Sequence, residues 1–100
     1  MSDQFKITLA QLNATVGDLK GNAQKVITAW EKARDDRSNI IAFPELFITG
    51  YNPQDLILKP AFQKASADTI KKIAEACSRG PAIAVGGPFC DKESLYNAYY

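Results

Sequence analysis

Short apolar runs alternate along this chain with two long stretches in which apolar residues recur at three- and four-residue steps, and few folds accommodate that alternation. In the first run, Phe5 to Leu12, the residues Phe5, Ile7 and Leu9 point one way and Thr8, Ala10 and Leu12 the other. Both sides are mostly apolar, which predicts a strand covered on both faces of a sheet. Asn13 to Gly17 supplies turn residues, and Asp18 is suited to cap a helix, its carboxylate accepting from free backbone N–H groups. Leu19, Ala23, Val26, Ile27, Trp30 and Ala33 then form one stripe, which predicts a helix to about Asp35. Gly21 weakens its first turn by roughly 1 kcal/mol relative to Ala, so packing must hold it.

The pattern repeats. Ile40 to Phe43 is a second apolar strand, ended by Pro44, which has no N–H for a sheet ladder. Glu45 to Pro60 is loop, with a helical turn expected at Gln54 to Leu58 after Pro53. Ala61 to Arg79 reads as a second helix with Phe62, Ser66, Ile70, Ile73, Ala74 and Cys77 on one face and Gly80 just past its end. Ala82 to Val85 is a third strand, broken by Gly86-Gly87-Pro88, and Ser94 to Tyr100 a fourth. Strands alternating with long amphipathic helices predict an α/β fold with parallel pairing, and the last two runs suit an antiparallel hairpin. Leu95 to Tyr100 has no turn, cap or polar tail after it, so the expectation is the N-terminal portion of a longer chain.

Composition narrows the function. One hundred residues with 46% hydrophobic and 23% charged side chains form an ordinary globular domain. Twelve Lys plus Arg against eleven Asp plus Glu leave a net charge of +1, which gives no footprint for nucleic acid or an anionic membrane. No apolar run approaches the roughly 18 residues of a membrane span, and the first residues lack the pattern of a secretory signal, so a cytoplasmic protein is expected. The two cysteines, Cys77 and Cys90, are too few for a disulfide scaffold and lack metal-motif spacing. There is no histidine, which excludes imidazole zinc sites and Ser-His or Cys-His catalysis within these residues; no metal site is expected.

The segment that carries chemistry is Phe43-Pro44-Glu45-Leu46-Phe47-Ile48-Thr49-Gly50-Tyr51. It puts a carboxylate just beyond the C-terminal end of a buried strand, where open α/β sheets bind ligands. Its apolar neighbours would disfavour the charged form and lift the carboxyl toward the range of a general base. The plainer reading makes Glu45 a loop residue facing water or capping the turn.

Phe43-Pro44-Glu45 followed by Gly50-Tyr51 resembles the glutamate motif of the nitrilase, or carbon–nitrogen hydrolase, superfamily. Ile7 to Asn13, Val16 to Leu19 and Asn22 resemble its opening. Gly50 to Phe62 is similar to the segment that follows the glutamate in the glutaminase domain of glutamine-dependent NAD synthetases, and Val85 to Pro88 and Leu95 to Asn97 resemble the strands after it. The resemblance implies the N-terminal part of a four-layer α-β-β-α domain with a Glu-Lys-Cys catalytic set. It implies that a thiolate attacks the side-chain amide of glutamine, that a lysine stabilises the oxyanion, and that the glutamate shuttles the proton. Ammonia would pass to a synthetase domain that uses ATP and magnesium to convert nicotinic acid adenine dinucleotide to NAD. Of the catalytic set only Glu45 has a counterpart here, and Tyr51 matches an aromatic residue of the glutamine pocket. The lysine and the nucleophile would lie beyond Tyr100, and a homo-oligomer is expected.

Nothing around Cys90 matches the family's cysteine segment, so Cys90 and Cys77 are expected to be buried structural residues. Lys59 is expected to be solvated, Trp30 to be core, and Asp55 to cap the turn after Pro53. Tyr96 and Asn97 match a segment near the site, without an assigned role. Two other functions fit less of the sequence: another carbon–nitrogen hydrolase, such as an amidase or carbamoylase, and a non-catalytic α/β interaction module.

Overall fold

The computed structural model describes residues 4–100. Three parallel strands, β1 (Ile7–Leu9), β2 (Ile40–Ala42) and β3 (Ala82–Ala84), form a sheet in chain order. Helix α1 (Leu19–Asp35) connects β1 to β2. A 3-10 helix (Gln54–Leu58) and α2 (Pro60–Ala76) connect β2 to β3. β4 (Gly86–Asp91) and β5 (Ser94–Tyr99) make an antiparallel hairpin closed at Lys92-Glu93. The α/β class, the parallel order and the hairpin are those the sequence implies.

Two crossovers of one hand along a sheet laid out in chain order bring both helices to the same face. Val26, Trp30 and Ala33 of α1 and Ile73 of α2 pack there on Ile41, with Phe43, Phe47, Ile48 and Val85 closing the core. Trp30 is 4% exposed and donates its Nε1–H to the carbonyl of Pro81 at 2.9 Å. The capping expectation holds: Asp18 Oδ1 accepts from the Gly21 N–H at 2.9 Å.

Several expectations are corrected. β1 is not covered on both faces: with the helices on one side, Ile7 and Leu9 are 55% and 77% exposed on the other. Helix α2 stops at Ala76, because Cys77 leaves helical geometry at φ −111°, ψ 42°. Asp55 makes no capping bond to the 3-10 helix; Asn52 Oδ1 accepts from Gln54 N–H instead, at 3.3 Å.

The third strand does stop ahead of Gly86, at Ala84, but Gly86-Gly87-Pro88 is itself the start of another strand, β4. Val85 and Tyr100 exchange both backbone hydrogen bonds, at 3.0 and 2.8 Å. Hydrogen-bonded pairs alternate along an antiparallel ladder, so Pro88, opposite Asn97, falls at a position whose nitrogen faces away from β5. A proline there costs no ladder bond.

Candidate active site

Beyond β2 the chain makes a tight turn at residues 45–49 that β3 and β4 hold from one side. Phe43 N–H donates to the Ala84 carbonyl at 2.8 Å, and Ile48 N–H to the Gly86 carbonyl at 3.2 Å. Leu46, at φ 50°, Phe47, Ile48 and Thr49 all turn inward and are buried. Glu45 is left facing outward at the C-terminal end of the sheet. The apolar neighbours read from the sequence as enclosing the carboxylate therefore do not bury it. Phe43, Leu46 and Phe47 are in the core, Pro44 is exposed beside it, and Glu45 is exposed because the buried residues anchor the turn.

The β1–α1 loop holds the turn from the other side. Asn22, fully buried, donates from Nδ2 to the carbonyls of Thr15 (2.8 Å) and Ile48 (2.9 Å) and accepts the Thr15 N–H on Oδ1 (2.8 Å). Gly17 N–H donates to the Thr49 carbonyl at 2.9 Å. One asparagine thus bonds backbone groups of two loops, the buried Ile48 carbonyl and the part-buried Thr15 N–H and carbonyl, that have no ladder partner there.

A small cavity of about 140 Å³ opens beside the carboxylate, walled by Glu45, Tyr51 and Pro44 and by the loop Leu12 to Ala14. The two residues singled out from the sequence, Glu45 and Tyr51, therefore share one cavity. A larger hollow, about 580 Å³, runs along α1 past Gln24, Lys25 and Thr28. It is lined by no carboxylate or thiol, so size does not mark the chemistry.

Neither cysteine lines this cavity. Cys90 is exposed, against the expectation that it is buried, and its Sγ donates to Gln63 Oε1 at 2.9 Å. It sits four residues beyond Gly86 on β4, roughly 13 Å along the strand. Cys77 packs against the core, and burial, with the charge of Glu31 in second place, pushes its thiol up from the ordinary range, which suits a structural residue. Lys59 is exposed ahead of α2. Among the described residues no group of three His, Cys, Asp or Glu side chains could hold a metal ion.

The sequence reading passed over Tyr99 and gave no site role to Asn97, Gly86 or Asn22. Asn97 Nδ2 donates to Glu45 Oε2 at 3.2 Å, and Tyr99 OH to the Phe43 carbonyl at 2.8 Å. Gly86 lets the turn lie flat on β4: a Cβ there would come 2.3 Å from the Leu46 nitrogen. A signal existed for Asn22, a polar residue inside the apolar stripe of α1. For Asn97 the signal was the family segment it matches, which gave it no role, and for Tyr99 there was none, because the reach of both depends on strand register.

A helix-backed parallel sheet that presents a carboxylate beyond its second strand, beside an aromatic-walled cavity, is the arrangement found, and residues 6–100 match the carbon-nitrogen hydrolase family, to which the chain belongs. It is 46% identical over 100 residues to the glutamine-dependent NAD(+) synthetase of Rhodobacter capsulatus, covering 100% of this chain and 18% of that protein. Its structure resembles the crystal structure of a glutamine-dependent NAD(+) synthetase from Cytophaga hutchinsonii, with a TM-score of 0.89 and 28% identity over 95% of this chain and 16% of that one. An amidase from Nesterenkonia sp. shares the fold, with a TM-score of 0.74 and 22% identity over 96% of this chain and 41% of that one. The chain thus spans less than a fifth of the synthetases it matches. The resemblance read from the motifs is borne out.

Proposed function

We propose that these residues are the N-terminal portion of the glutamine-hydrolysing domain of an ATP-dependent NAD synthetase, with Glu45 as its general base. The observation that carries this is the shared cavity of Glu45 and Tyr51 at the C-terminal end of β2. Its volume, about 140 Å³, admits the amide end of a small substrate; drug-sized ligands fill sites of roughly 300–1,000 Å³, and a dinucleotide needs at least as much. A cavity of this size suits the amide end of glutamine better than nicotinic acid adenine dinucleotide. The similarity to the Rhodobacter and Cytophaga synthetases supports the same choice.

The chemistry assigned to Glu45 is proton transfer. It takes the proton of a cysteine thiol supplied from outside these residues, and the thiolate attacks the amide carbon of glutamine. A lysine, also from outside, stabilises the oxyanion. Glu45 then gives the proton to the departing ammonia, leaving a thioester, and later takes a proton from the water that opens it to glutamate. Tyr51 borders the glutamine side chain. Ammonia goes to the amidation of nicotinic acid adenine dinucleotide, where ATP and magnesium act on another part of the protein. We place the reaction in the cytoplasm and the enzyme in a homo-oligomer.

Glu45→Gln in the complete synthetase tests this. The amide keeps the shape but cannot carry the proton, and such help is worth about 10²–10⁴-fold. Glutamine-dependent NAD formation should fall by that factor, while formation from free ammonia, which bypasses the site, should hold. Equal loss of both would refute the assignment.

A further inference from the structure

We infer that Asn97 and Tyr99 of β5 are positioning residues that aim the Glu45 carboxylate into its cavity, an inference that rests on the reading of Glu45 as the base. Residues two apart on a strand share a face. Asn97 and Tyr99 are such a pair, and they grip Glu45 and Phe43, which are also two apart. Asn97 Nδ2 holds Oε2 of Glu45, which leaves Oε1 free to take a proton. Tyr99 OH takes the Phe43 carbonyl, while the Phe43 N–H is already held by Ala84. Both backbone groups of Phe43 are thus fixed, one by β3 and one by β5.

β5 can act as a fixed support because it is itself seated at its end. Val85 and Tyr100 exchange both backbone bonds, and Tyr100 OH donates to the Pro88 carbonyl at 2.8 Å. Glu45 needs such a support. It lies on a turn, exposed, with a side chain that has several rotamers, and a base works only when its oxygen is within hydrogen-bond reach of the proton. The Asn97 bond is itself exposed, so its loss costs little folding stability; its effect is orientation.

Asn97→Asp in the complete synthetase keeps the shape but puts an oxygen where a nitrogen donated. A misplacement of about 1 Å can cost about 10²-fold, and that is the expected fall in kcat with glutamine, with KM within about twofold. The ammonia-dependent rate and the melting temperature should not change. Tyr99→Phe, which removes one hydroxyl, should lower kcat in the same direction by a smaller factor. Full kcat in Asn97→Asp, a rise in KM alone, or equal loss of both reactions would overturn the inference. If Asn97→Asp does not fold, Tyr99→Phe decides by the same criteria. Glu45→Gln separates the two claims: if it spares glutamine use, the reading of the base fails, and if only Asn97→Asp and Tyr99→Phe are silent, the positioning fails alone.

Discussion

Gly86 and Gly21 show how the meaning of a residue depends on what its missing Cβ would touch. At Gly86 that atom would meet backbone, 2.3 Å from the Leu46 nitrogen and 3.0 Å from Glu45 Cα. Backbone cannot swing aside as a side chain can, so the turn must shift against the Phe43 and Ile48 bonds that hold it. Gly86→Ala is expected to destabilise by about 1–3 kcal/mol, as overpacking does, and to cut glutamine-dependent turnover about 10²-fold. At Gly21 the Cβ would meet only the Asp18 carboxylate, 2.1 Å away, which can swing aside. Gly21→Ala gains roughly 1 kcal/mol of helix propensity and loses about as much from the cap, so its net effect should be near zero. Denaturant midpoints and paired glutamine and ammonia assays on the two variants check this; equal effects would show that the turn does not depend on Gly86. At this scale the sequence was legible where chemistry is local. Glu45 and Tyr51 stood out by motif, but the surroundings of the carboxylate did not, because whether Leu46 and Phe47 point toward or away from Glu45 depends on the turn.

Helix α1 was the most legible element, since periodicity and a cap residue are written in consecutive positions. Its stripe, its start and its end at Asp35 all follow from the sequence. What the stripe did not reveal is that Asn22, inside it, ties two loops together. Asp18 and Asn22 therefore make a comparison within one helix. Asp18→Ala loses an exposed cap worth about 1 kcal/mol. Asn22→Ala leaves the buried Ile48 carbonyl and the part-buried Thr15 N–H without their partner, while the Thr15 carbonyl keeps the Asp18 N–H, and each orphaned group costs about 1–3 kcal/mol. Asn22→Ala should be the more damaging by about 1 kcal/mol or more in a denaturant titration, and comparable losses would mean that water replaces the amide. β4 was less legible for the opposite reason: glycine and proline read as breakers until the pairing partner shows that the proline faces no ladder.

For the molecule as a whole, the layers were legible and the open side was not. Apolar residues on both sides of β1 say that both faces avoid water, not what covers them. Of the four layers that the family resemblance implies, the described residues form one helical layer and one sheet layer, and the helices take a single face. Phe5, Ile7 and Leu9 are left 68%, 55% and 77% exposed, and among the described residues β1 pairs with β2 alone. An apolar strand with an unpaired edge is a template for association, and a net charge of +1 offers little repulsion against it. Residues 1–100 expressed by themselves should therefore self-associate, with sedimentation coefficients that rise with concentration and with salt. Replacing Ile7 and Leu9 by Lys should shift the chain toward monomer without lowering its melting temperature, because neither side chain belongs to the core. The same preparation should release no ammonia from glutamine: it holds Glu45, the proposed base, but neither Cys77 nor Cys90 lines the Glu45 cavity, and groups that act as a unit lose nearly all their effect when one is missing. A chain that stays monomeric at high concentration, or that hydrolyses glutamine alone, would mean that the exposed face of β1 is not adhesive or that a thiol reaches Glu45 by a rearrangement of the hairpin.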